Sequence, residues 1–171
     1  FIMATNLQFI KSQSGTDVTT LSVTDCFNAD YDVYAIYLTK IDTTQDNSSK
    51  IRLLDSGGSV ISASEYDTAN LRLRANAGFE ELRYTGQTSF QYMISIRQQN
   101  YDGAGLMMYV FNPYDSGSYT FIQYQETSYS TNYLGYKSIG VHKSAETITG
   151  FQILNTAGDY QSVGFSVFGV K

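Results

Sequence analysis

What most constrains this chain is its punctuation. Turn chemistry recurs between short runs of aromatic and β-branched residues, and no stretch repeats convincingly with a helical period. The turn signals are "SGT" at 14–16, "DSGGS" at 55–59, "YDGAG" at 101–105, "NPYDSGS" at 112–118 and "TAGDY" at 156–160. Gly, Asn, Asp and Pro mark such places because they accept left-handed backbone or preset φ. Between them the sequence predicts strands over 6–12, 17–24, 31–41, 49–55, 59–63, 68–75, 89–98, 104–112, 118–126, 137–142, 146–155 and 162–170. "SASEYDTAN" at 62–70 is at most one helical turn. Ten to twelve short strands in 171 residues imply an all-β antiparallel two-sheet sandwich, jelly-roll-like in its winding. Fifteen Tyr, ten Phe and a single Pro agree with that class, since aromatic side chains suit a pleated, half-buried surface. Residues 1–13 read as an N-terminal arm or first strand and 14–171 as one sandwich domain.

Alternation along each strand shows which faces are dry. In "LRLRAN", Leu71 and Leu73 lie opposite Arg72 and Arg74, so one face is wet. "YDVYAIYLTKI" is apolar on both faces, with Val33, Ala35, Tyr37 and Ile41 opposite Tyr34, Ile36 and Leu38. "GLMMYVFN" repeats this, with Met107, Tyr109 and Phe111 opposite Leu106, Met108 and Val110. In the last strand Phe165, Val167 and Gly169 oppose Ser166, Phe168 and Val170. A two-sheet sandwich has one dry interior, so doubly apolar strands require a second cover. Another subunit is the favoured cover, and Tyr34, Ile36, Leu38, Leu106, Met108 and Val110 are the candidate subunit contacts.

Composition removes several functions. Sixteen acidic against eleven basic residues leave a net charge of −5, which excludes phosphate-backbone binding as a main task, so no nucleic-acid partner is expected. No apolar run approaches the ~18 residues of a spanning helix, and no membrane insertion is expected. Cys26 is alone and pairs with nothing in its own chain.

Few residues in the sequence point to chemistry. Nucleophilic triads and zinc sites need histidines at set distances, and His142 is the one histidine. It reads as a surface or packed residue at a strand end. No G-x-S-x-G elbow, Walker loop or dinucleotide fingerprint is present. The carboxylates Asp30, Asp32, Glu65, Asp67, Glu80, Glu81, Asp102 and Asp115 fall mostly beside turns, where they bond their own backbone or face water. Neither catalysis nor a cofactor is expected, and no metal site either. The loop "DTTQDNSSK" offers Asp42, Asp46 and Asn47 to a hard cation, but it lacks the glycine and closing glutamate of an EF-hand. Sugar binding is the remaining ligand activity, with Tyr114, Tyr119, Tyr124, Tyr129 and Tyr133 set among Ser, Thr, Asn and Gln as candidate glycan contacts.

Four segments carry a family resemblance: "NADYDVYAIYLTKID", "KIRLLDSGGSVISASEYDTANLRLRANAGF", "YVFNPYDSGSYT" and "TITGFQILNTAGDYQSVGFSVFGVK". Together they resemble virion structural proteins of tailed bacteriophages, especially those of marine bacteria and cyanobacteria, from about residue 14 onward. The resemblance implies a non-enzymatic capsid-decoration or tail/fibre-appendage subunit located in the virion. The doubly apolar strands add self-association, with a trimer as the expected form, and contact with other virion proteins. The absence of a shaft segment before the sandwich favours a compact subunit over an elongated fibre. A receptor-binding module for host surface glycan is the alternative. The closing "TITGFQIL" and "SVGFSVFGVK" read as a hairpin whose last strand is interior to a sheet. Gly164 and Gly169 would there leave room for a ring or a second backbone.

Overall fold

The computed structural model describes residues 6–45, 47–96, 104–129 and 133–171, and among these there is no helix. Six strands come first: β1 (Leu7–Gly15), β2 (Thr20–Val23), β3 (Val33–Thr43), β4 (Asn47–Leu54), β5 (Tyr66–Arg74) and β6 (Glu80–Gln87). Six more follow: β7 (Phe90–Ile96), β8 (Gly105–Phe111), β9 (Thr120–Tyr129), β10 (Tyr133–His142), β11 (Gly150–Leu154) and β12 (Tyr160–Val170). They form an eight-stranded sheet, β1-β12-β3-β8-β9-β10-β5-β6, and a four-stranded sheet, β2-β11-β4-β7. All pairings are antiparallel. Among the described strands only β5–β6 and β8–β9–β10 follow one another as paired neighbours; the other successive strands lie in opposite sheets, which is the winding of a jelly roll.

Three expectations from the sequence need correction. The segment 59–63 makes a single bridge, Val60 to Leu54, and is no strand. Strand β6 lies outside the predicted strands, because "EELRYTGQ" carries charges and little apolar alternation. It is the sheet's edge, where charge discourages a further strand. The C-terminal segment is not a hairpin either. β11 pairs with β2 and β4, and β12 with β1 and β3, so "NTAGDY" arches between sheets. Thr44 and Asp159 hold neighbouring arches together: Thr44 N donates to Asp159 O at 2.9 Å, and Thr19 Oγ1 donates to Asp159 Oδ1 at 2.6 Å. The last strand is interior, as the sequence implied. Gly169 is required there, since a Cβ would stand 2.6 Å from the Tyr31 ring.

The core lies between the sheets. Phe27, Phe90, Phe151 and Phe165 are buried there with Ile36, Ile51, Leu53 and Val167. Phe151 and Phe165 meet edge-on at 5.1 Å across the two sheets. A register shift in β3, where Leu38 pairs with Phe165 but Lys40 with Gly164, reverses the alternation beyond that point. Ile41 is therefore buried in the core, not on the face of Val33, Ala35 and Tyr37.

Candidate functional site

The six residues named as subunit contacts, Tyr34, Ile36, Leu38, Leu106, Met108 and Val110, are all buried in the core of a single chain. They are the inward half of the doubly apolar strands, covered by the smaller sheet, and no second subunit reaches them. Among the described residues no second sheet covers the opposite half. Leu7, Val170, Val33, Phe111, Phe121 and Val141 stand in register across six neighbouring strands, β1, β12, β3, β8, β9 and β10. The adjacent row in those strands is Phe9, Phe168, Ala35, Tyr109, Gln123 and Ile139. Phe9 and Ile139 are 58% and 62% exposed, and Phe121 and Met107 are exposed as well. Phe168 ties the patch together, meeting Phe9 and Tyr37 edge-on, each at 5.7 Å. Such a continuous apolar face is unusual on a monomer's surface. A groove of about 530 Å³ indents it beside β10, between Phe121, Ile139 and Tyr84.

The five candidate glycan tyrosines do not converge. Tyr124 is buried, its hydroxyl donating to Asn70 Oδ1 at 2.7 Å. Tyr114 and Tyr119 lie exposed in the β8–β9 turn, whereas Tyr129 and Tyr133 flank the β9–β10 turn. Strand β9 separates the two pairs, and its ten residues span about 30 Å at ~3.3 Å each. What the sequence did not suggest is a partner for Tyr133 at its own end. Phe79 and Tyr133, 75% and 72% exposed, border a groove of about 640 Å³ whose lining includes Gln125, Thr127 and Lys137. Tyr129 supports the Tyr133 ring edge-on at 5.3 Å.

Beneath this end of the large sheet the interior is polar. Leu71 and Leu73 face outward, while Asn70 and Arg72 share the inward side with Tyr124 and Glu126. Arg72 pairs with Glu80, and Arg74 reaches the same carboxylate at 3.0 Å. Glu126, only 2% exposed, accepts a hydrogen bond from Ser95 N at 3.3 Å. Burial pushes its carboxyl up to about 8. Its alternation with Ile122 and Tyr124 in "FIQYQETSY" was the signal for an inward carboxylate, since every second residue there is buried.

The remaining candidates disperse. Asp115 caps its own turn through Gly117 N at 2.8 Å, Asp67 accepts from Gly86 N and pairs with Lys143, and Glu81 pairs with Arg83. Asp30 and Asp32 are exposed. Asp102 and Asp46 lie outside the described residues, and Asp42 bonds its neighbour's backbone, Thr43 N. Cys26 is buried, and its thiol is pushed up to about 12, so it is a packing residue and not a nucleophile. His142 is neither exposed nor simply packed. Its buried ring faces two carboxylates, Glu65 and Glu146. Burial lowers its pKa although both carboxylates act to raise it.

No family model matches this chain, and no curated protein matches it. Among solved structures it is similar to the CBM2 module of the evolved Dit of Lactobacillus casei BL23 phage J-1. That match has 10% identity and covers 94% of this chain and 70% of the other, with a TM-score of 0.25.

Proposed function

We propose that this chain is a non-enzymatic structural subunit of a tailed-phage virion that self-associates through the outer face of its eight-stranded sheet. The observation that carries the reading is the apolar row from Leu7 to Val141, six strands wide, with Phe9, Phe121 and Ile139 exposed beside or within it. Burying such a face contributes about 25 cal/mol per Å², against the entropy lost on association. The virion setting rests on the segments that resemble phage structural proteins, and so does the assignment to decoration or appendage. Light scattering on purified protein tests the association. A native mass of three subunits is expected, and a Phe121→Asp/Ile139→Lys variant is expected to fall to the monomer with an unchanged β spectrum. A wild-type monomer at every concentration up to ~1 mM overturns the reading.

A second reading, host-glycan recognition, draws on the groove between Phe79 and Tyr133. Two exposed rings beside amide, hydroxyl and ammonium groups offer stacking and hydrogen bonds to a sugar. It predicts millimolar or tighter binding of a host surface oligosaccharide that Tyr133→Ala abolishes. No retention on any glycan of a host panel would end it.

A further inference from the structure

We infer that Glu65, His142 and Glu146 form a binding site for a divalent transition cation of the zinc class, at the end of the large sheet where β5 begins and β10 ends. The backbone builds it. His142 is the last residue of β10 and pairs in register with Tyr66, the first of β5, which brings Glu65 alongside. Lys143 N donates to Glu65 O at 2.9 Å and fixes that alignment. Glu146 returns four residues later in the run toward β11.

The donor geometry fits one ion. Nε2 of His142 lies 3.3 Å from Glu65 Oε2 and 3.9 Å from Glu146 Oε1, and the three ligand atoms all fall within 4.8 Å of one another. Bonds of about 2.0–2.1 Å to a tetrahedral zinc place ligand atoms roughly 3.3–3.4 Å apart. One of the three separations already matches, and rotation of the partly exposed Glu146 side chain shortens the other two. The ring itself is the second observation. His142 is 0% exposed, yet neither ring nitrogen makes a hydrogen bond of acceptable geometry. A buried polar group left so is costly, and a metal bond to Nε2 removes that cost at this nitrogen. The Tyr66 ring, 4.8 Å away, holds the imidazole in place.

Charge and access point to the same class. Two carboxylates cancel the charge of a divalent ion, and Lys143 is engaged at 2.9 Å by Asp67, not by the cluster. Calcium wants six to eight oxygens and is poorly served by an imidazole; one nitrogen and two carboxylates suit zinc or its neighbours. Both glutamates are about one-third exposed, which leaves a way in from solvent and a fourth position free for water or a ligand. Bound there, the ion would staple the chain before β5 to the run between β10 and β11.

The test uses the whole chain, stripped with chelator and titrated with zinc chloride at pH 7 by calorimetry and thermal melting. Cobalt(II) chloride serves as the visible-absorption probe. One equivalent of zinc is expected to bind. Tm should rise by roughly 5–10 °C when zinc reaches a hundred times Kd, and cobalt should give d–d bands. Glu146→Gln and Glu65→Gln, both at partly exposed positions, should each weaken zinc at least tenfold and remove the cobalt bands while melting near wild type without metal. No heat or Tm shift at 100 µM zinc overturns the proposal. So does undiminished binding in both variants, which would place the ion elsewhere.

Discussion

Replacing Glu126 by Gln tests whether the buried carboxyl stays protonated in the folded protein. An exposed glutamate has a pKa near 4.5, while in the fold this one is raised to about 8. Between those values the folded state holds a proton that the unfolded chain has released. Stability contributed by this group is therefore fully present below pH 4.5 and is lost as pH rises through 8. Each pH unit separating the two pKa values corresponds to ~1.36 kcal/mol, so the loss reaches at most about 5 kcal/mol between pH 4.5 and 8, with relaxation and water entry reducing it toward about 2. The groups facing Glu126 do not confuse the window, because Tyr124 and Tyr136 both have raised pKa values and stay neutral throughout it. Gln carries no proton to lose, and its amide oxygen can keep the bond from Ser95 N. Urea denaturation of wild type and E126Q at half-unit steps from pH 5 to 9 reads the difference and cancels every other titrating group. The two proteins should agree within about 1 kcal/mol at pH 5, with E126Q more stable by about 2–5 kcal/mol at pH 9. A stability difference that does not change with pH would mean that the fold leaves the Glu126 carboxyl at its unfolded pKa.

Two further outcomes follow from packing. Gly150→Ala should destabilise by about 1–3 kcal/mol or more in chemical denaturation, because the added Cβ would stand 2.2 Å from Val23 O, a backbone atom that cannot swing aside. Tyr160→Phe should cost about 1–2 kcal/mol by the same assay, since its hydroxyl donates to Ser49 Oγ at 2.9 Å and both groups are buried.

The fold class was legible in the sequence because period-two alternation and turn residues are local signals. "GLMMYVFN" and the final strand divide between inside and outside as their alternation implies. Legibility failed where a property depended on a distant segment. Which face of β3 and β8 is covered depends on where the smaller sheet docks, so Tyr34 and Met108 were offered to a partner although their own chain buries them. The bulge beside Leu38 cannot be read from β3 alone, since its register is set by β12, and Ile41 was misplaced in consequence. The histidine cluster was hidden for the same reason. "HKSAE" carries two of its members, but Glu65 arrives through a strand pairing 77 residues away in sequence, from 65 to 142. The tyrosines show the converse error, with nearness in sequence taken for nearness in space along strands that carry residues apart.

The placing of β11 and β12 bears on how the molecule is made. β12 separates β1 from β3, and β11 separates β2 from β4. While residues 7–54 leave the ribosome, both sheets have a vacant slot at the same end, and it stays vacant until residues 150–170 arrive. Folding must finish by threading this one arch into two sheets at once, a late and long-range step that should make it slow. Until then the slots are open strand edges, able to accept the same arch from a neighbouring copy. The winding order thus carries both a risk of strand exchange between copies and a means of splitting the chain. A fragment ending before residue 150 should be completed in trans by a peptide spanning β11 and β12.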